Sequence, residues 1–318
     1  MPETSAPSPS RPQISMALLN FAAEDQGDWR FLLDRARAAD DAGIGRLTVS
    51  DHVVYGEDLE AYSKPENGGV AGGRQPTGPD GLWLEPLTLL SVVCGVTKRV
   101  RLATNILLAA LRRPVVLAKS ASTLDVLSGG RLDLGVGVGW QREEYVAAGL
   151  DFEGRGRTLD HTLEVCQELW RSPRAAYSSA ELEFDAIHMM PKPAQPGGVP
   201  IWVSGTINQR MIRRLATFGS GWIPWGESAK DLAESIPRMR EGVAATGRDP
   251  SGIGVVANLA MRKDDAGQLD LARTMEAVPA LVASGATDVR VSVPLTGGYQ
   301  QSLDALSPVV EAFRSVTG

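Results

Sequence analysis

The sequence predicts a (β/α)₈ barrel, on three observations. Eight apolar, β-rich runs alternate with helical patterns along the 318 residues. No polar stretch marks a domain boundary between them. The longest irregular segment leaves the end of a strand, on the face where barrels of this kind carry their insertions. A doubly wound open sheet is the competing architecture, but it usually stops at about five to seven strands.

The elements follow in order. "ISMALLNF" (14–21) reads as strand one, and "DWRFLLDRARAADDAG" (28–43) as a helix stopped by Gly43. "RLTVSDH" (46–52) is strand two. The helix "EPLTLLSVVCGVT" (85–97) precedes strand three, "RVRLATNILL" (99–108). "PVVLAKSASTLDVLSGG" (114–130) opens with Pro114 in its first turn and closes at Gly129, as a helix should. "RLDLGVGVG" (131–139) is strand four. In "RTLDHTLEVCQELW" (157–170), Leu159, Leu163, Cys166 and Leu169 share one helical face. "PIWVSG" (200–205) is strand five, "NQRMIRRLATFG" (208–219) a helix and "SGWIPWG" (220–226) strand six. A helix over 229–247, kinked at Pro237, leads to strand seven, "GIGVVANLAM" (252–261). One helix over 269–285 leads to strand eight, "DVRVSVPL" (288–295), and a helix over 301–316 closes the chain.

Two insertions interrupt this rhythm, one after strand two and one before strand five. Residues 56–82 are rich in Gly and Pro, and a loop of that length is functional or disordered. Residues 171–199 hold a hairpin, "YSSAELEFDAI", and a Pro-rich return. "MPETSAPSPSRP" has no apolar core, so it reads as a disordered tail over residues 1–11, with a single barrel domain over 12–318.

Composition narrows the function classes. A net charge of −6 disfavours nucleic-acid and anionic-membrane partners, and no run of about 18 apolar residues exists to span a bilayer. Cys94 and Cys166 lie in apolar helical runs without a metal-type spacing, as expected of reduced core thiols in a cytoplasmic protein.

The ends of the strands are where a barrel holds its chemistry. Strand two ends in Asp51-His52, with Asp51 as a possible partner of the imidazole. Strand three ends around Thr104-Asn105-Ile106, strand four in Gly139-Trp140, strand five in Ser204-Gly205-Thr206 and strand six in Trp225-Gly226. Gly135, Gly137 and Gly139 alternate with Leu134, Val136 and Val138. The third glycine of a dinucleotide loop would fall at Trp140, so these glycines line one face of a strand instead. Ser204-Gly205-Thr206 enters a helix, where free N–H groups suit a phosphate. Glu143 and Glu144 read as favouring a helix start. No nucleophile elbow, Walker loop or metal constellation is present. One imidazole, aromatic walls and backbone donors suit a planar redox cofactor that brings its own chemistry.

Taken together, "LTVSDHVV", "RLATNILLAALRRPVVLAKSASTLDVLSGGR", "LDLGVGVGWQREEYVAAGLDFEGRGRTLDHTLEVCQELW" and "VPIWVSGTINQRMIRRLATFGSGWIPWG" resemble the luciferase-like monooxygenase family. The resemblance covers roughly residues 12–318 and is strongest to the branch that uses coenzyme F420. It implies the barrel fold and hydride transfer between a deazaflavin and a small organic substrate. His52 is the implied catalytic residue, and no metal is implied. The implied cofactor-binding set is Asp51, Thr104, Asn105, Val138, Gly139, Trp140, Ser204, Gly205, Thr206, Trp225 and Gly226. It further implies a non-proline cis peptide at a bulge on Thr104-Asn105, and a homodimer. The alternative within the family is an FMN-dependent monooxygenase supplied with reduced flavin by a separate reductase. A flavin carrier without activity is a third reading, disfavoured by His52 beside a long loop. Ser220 stands where an acidic residue is common. Trp140 stands where some dehydrogenases of the branch carry a glutamate, which argues against a sugar-phosphate substrate.

Overall fold

In the computed structural model, which describes residues 11–318, eight parallel strands close into a barrel. In chain order the strands are β1 (Gln13–Ala17), β2 (Phe21–Ala22), β3 (Arg46–Val49), β4 (Leu82–Trp83), β5 (Arg101–Thr104), β6 (Leu132–Val136), β7 (Ala175–Ser178), β8 (Glu183–Ile187), β9 (Ile201–Gly205), β10 (Gly219–Pro224), β11 (Gly254–Asn258) and β12 (Asp288–Val291). The barrel runs β1-β12-β11-β10-β9-β6-β5-β3, and strands β2/β4 and β7/β8 form two separate antiparallel pairs. The helices are α1 (Phe31–Ala42), α2 (Pro86–Val96), α3 (Pro114–Ser128), α4 (Arg142–Ala147), α5 (Arg155–Arg171), α6 (Gln209–Phe218), α7 (Leu232–Ala244), α8 (Leu271–Met275), α9 (Val278–Ala283) and α10 (Tyr299–Thr317). The expected disordered tail lies outside the described residues except for Arg11. Among the described residues no helix is long and apolar enough to cross a membrane.

Local chemistry explains most boundaries. Pro114 starts α3, and Gly129 ends it in the left-handed conformation at φ +69°, which glycine adopts without penalty. The helical face Leu159, Leu163, Cys166 and Leu169 is buried. Both cysteines are buried free thiols. Pro237 and Pro308 sit inside α7 and α10 without ending them.

Inside the barrel the lower layers are polar. Arg46 Nε donates to Asp133 (3.0 Å), Arg101 donates to both oxygens of Asp133 (2.7 and 2.6 Å), and Arg46 and Ser15 both bond Asp288. The Arg46 guanidinium lies 4.1 Å over the ring of Trp202. Trp202, Ile223 and Val256 form a small apolar layer of their own, with Ile106 against it.

Four expectations are corrected. The helix expected over 269–285 is two helices, α8 and α9: Pro279 has no N–H for the carbonyl of Met275, and its ring clashes with that turn. Strand one is divided into β1 and β2. The loop 56–82 is not structureless; it carries 3₁₀ turns at Leu59–Ser63 and Pro65–Asn67 and then β4, which pairs with β2. The cis peptide is Asn105–Ile106, not Thr104–Asn105. The ladder explains the offset: Thr104 still pairs with Val49, and the Asn105 N–H still reaches the Val49 carbonyl at 2.7 Å. The chain leaves the ladder only afterwards and meets Val136 again at Leu107.

The glycines of strand four divide likewise. Only Gly135 lies within β6, where a Cβ would stand 2.0 Å from the Thr104 carbonyl oxygen. Gly139 lies beyond it at φ +68°, with a Cβ position 2.7 Å from Leu108. The hairpin β7–β8 packs along the side of α5, with Tyr177 Oη donating to Glu164 at 2.8 Å.

Candidate active site

His52 follows β3 at the C-terminal mouth of the barrel. Tyr55, Trp83 and Trp140 surround its ring at centroid distances of 4.5, 4.7 and 5.8 Å. Its Nδ1 lies 3.3 Å from Oε1 of Glu144. That same oxygen accepts the N–H of Val53 at 2.8 Å, while the buried Oε2 has no protein partner. Glu144 is fully buried on α4, so its carboxylate serves the imidazole and the backbone beside it.

This pairing was not legible as such. Glu144 reads in the sequence as a helix-start residue. No signal in the sequence separates it from Glu143: α4 begins only at Arg142, and the fold alone brings Glu144 to His52. The same segment is bolted to the strand-two loop by Gln141, whose amide, suitably oriented, donates to the Val54 carbonyl (3.1 Å) and accepts from the Gly56 N–H (3.0 Å).

Asp51 does not partner His52. Its buried carboxylate is held by Arg112 through two bonds (2.6 and 3.1 Å) and accepts the Leu108 N–H at 2.9 Å. Arg112 also reaches Glu85 at 2.8 Å. Asp51 therefore ties the end of β3 to the segment after β5, the kind of bidentate geometry that arginine provides.

A cavity of about 650 Å³ opens beside His52. Asp51, Asn105, Val138, Gly139, Trp140, Ser204, Gly205, Thr206, Trp225 and Gly226 all line it. Thr104 does not; it is buried below, with Oγ1 donating to the Gly135 carbonyl. The long loop forms the outer wall. Trp225 Nε1 donates to the Gly68 carbonyl (3.0 Å), Arg155 reaches the Asn67 carbonyl (3.2 Å), and Tyr62 stands at 5.4 Å from Trp140. Burial, joined by the negative charge of Glu144, pushes the Tyr55 phenol above its usual range, and burial does the same to Tyr62. Both remain hydroxyl donors at neutral pH.

The cavity also carries charge, with Glu66, Glu153 and Glu227 beside three arginines. Arg155, Arg210 and Arg214 line it with Thr206 and Asn208, which caps α6 by accepting the Met211 N–H. Arg214 is committed to Asp160, whereas the buried Nε of Arg155 has no partner. Among the described residues no three His, Cys, Asp or Glu side chains gather as a metal site.

Residues 13–277 match the luciferase-like monooxygenase family. The chain belongs to that family. Within it, an uncharacterized protein of Mycobacterium tuberculosis is 36% identical over 167 residues, covering 52% of this chain and 58% of that relative. The chain thus matches little more than half the length of that relative. The F420-dependent glucose-6-phosphate dehydrogenase of Gordonia bronchialis is 27% identical over 263 residues, 80% of this chain and 70% of that protein. Among solved structures, an F420-dependent secondary alcohol dehydrogenase holding an F420-acetone adduct superposes with a TM-score of 0.72 at 16% identity, covering 96% of this chain and 99% of that one. A long-chain alkane monooxygenase matches with the same TM-score at 15% identity, over 96% and 92%. The same barrel is thus shared by a protein described as a dehydrogenase and one described as a monooxygenase.

Proposed function

We propose that the protein is a coenzyme F420-dependent oxidoreductase that moves a hydride between the deazaflavin and a small organic substrate. The observation that carries the reading is the His52–Glu144 pair, set at the wall of a cavity lined by aromatic rings and by three arginines. The F420-dependent relatives favour this cofactor over FMN.

The residues present fit such a group. Val138, Gly139, Trp140 and the Asn105–Ile106 segment offer the thin wall against which a flat ring system stacks. Thr206, Arg210, the first turn of α6 and the unpartnered Nε of Arg155 suit a phosphate-bearing tail. A bound deazaflavin supplies the two-electron redox chemistry. The protein's own part is acid–base and positional. Glu144 accepts from Nδ1 of His52, so it fixes the ring and leaves Nε2 to hold or move the proton that accompanies hydride transfer. Tyr55, Trp83 and Trp140 keep water from the imidazole. Asp51 and Arg112 hold the backbone that carries it.

Titration of the apoprotein with F420 and with FMN, followed by fluorescence, tests the reading. F420 is expected to bind at least tenfold tighter, about 1.4 kcal/mol. Equal affinities, or tighter binding of FMN, overturn it in favour of a flavin enzyme.

A further inference from the structure

The aromatic cavity takes no wall from β11 or β12. The mouth of the barrel is nevertheless open there: Leu19 is 54% exposed, and Asn258 and Ser292 are exposed. Arg290 lies on β12 between Asp288 and Ser292, on the inner face by alternation, and pairs in register with Ser15 on one side and Asn258 on the other.

Its guanidinium makes no ion pair among the described residues. Nε is buried without a partner. The two carboxylates in the barrel are taken: Asp133 by Arg46 and Arg101, Asp288 by Arg46, Ser15 and Gln13. Three guanidiniums therefore share two acids, and Arg290 is the one left over. Burial pulls its pKa below the ordinary arginine value, Asp288 opposes that, and Arg46 adds to it. The side chain is half-buried, so an unpaired guanidinium stands at the open mouth and can take an anion without breaking any bond within the barrel.

We infer that Arg290 recognises the carboxylate of the substrate, which enters between β1, β11 and β12 with its apolar body directed at the aromatic cavity. A single planar fork, with Arg46 already committed, matches one monoanionic carboxylate. A phosphate dianion would call for a second free cation. The inference rests on the proposed function for the reaction but not for the binding event.

The test uses the apoprotein and calorimetry, with benzoate, its neutral analogue benzamide, inorganic phosphate and F420 as titrants. Wild type is expected to bind benzoate at least tenfold tighter than benzamide and phosphate. Arg290→Gln should remove that preference, Arg290→Lys should restore part of it, and both should bind F420 within threefold of wild type. No preference for benzoate in wild type, a preference that survives in Arg290→Gln, or tighter binding of phosphate each overturns the inference. Failure of F420 to bind wild type overturns the cofactor reading alone and leaves the benzoate arm standing.

Discussion

Replacing Glu144 by Gln keeps the side chain's shape and its bond to the Val53 N–H but removes the charge facing His52. Two unit charges 3.3 Å apart at an effective dielectric near 20 attract by about 5 kcal/mol, which is a ceiling for the interaction of the carboxylate with a protonated imidazole. The amide oxygen still accepts from Nδ1. The net loss is therefore closer to the difference between a charge-assisted and a neutral hydrogen bond, about 1–2 kcal/mol, or roughly fivefold to thirtyfold in rate. Glu144→Ala also strands the Val53 N–H and frees the ring, and should cost about a hundredfold or more. The assay is single-turnover oxidation of reduced cofactor on wild type, Glu144→Gln, His52→Ala and the double variant. If Glu144 acts through His52, the Gln substitution has no effect beyond threefold once His52 is gone. A full tenfold loss in the His52→Ala background would refute the positioning role.

Other predictions follow from neighbouring geometry. His52→Ala should lower turnover by about 10²–10⁴-fold, the range of general acid–base catalysis, with F420 affinity changed much less; paired titration and single-turnover kinetics separate the two. Gly139→Val should abolish cofactor binding in a folded barrel, since a Cβ there points at Leu108 and at φ +68° is disfavoured; circular dichroism checks folding and fluorescence checks binding. Asp51→Asn should destabilise the apoprotein by about 2 kcal/mol in urea, because it leaves the largely buried Arg112 with only the exposed Glu85 as counter-charge. The buried carboxylate of Asp40 accepts three backbone N–H groups, from Lys98, Arg99 and Val100. Burial pushes its pKa up, but these bonds outweigh it and hold the folded-state value below the ordinary range. The stability it contributes is thus complete above the unfolded carboxylate value and is lost as pH falls through the folded one. Urea midpoints of wild type and Asp40→Asn should differ at pH 7 and converge in strong acid; a gap that persists there contradicts this.

The barrel was legible because each β/α unit repeats the same contrast of period-two and period-3.6 apolar spacing, and the site followed because strand ends converge at one mouth. What escaped were contacts between residues distant in sequence. Asp51 adjoins His52 in the chain, yet its carboxylate turns to Arg112, sixty-one residues on, and the imidazole's partner is Glu144, ninety-two residues on. Nothing in "QREEYVAAG" distinguishes the buried glutamate from its neighbour Glu143. Arg290 looks in the sequence like any charged residue in a strand; only the ladder shows that it faces inward and that its nearby acids are taken. Pro279 lies within a strong apolar pattern that reads as one helix, and it is just before this proline that the helix divides.

A crystal structure of the protein grown with F420 tests the central claim most directly. The deazaflavin ring is expected against Val138–Trp140 and the Asn105–Ile106 segment, with His52 Nε2 facing it and the phosphate near Arg155 and the first turn of α6. A ring bound in the β11–β12 sector, or outside the barrel mouth, would contradict the account.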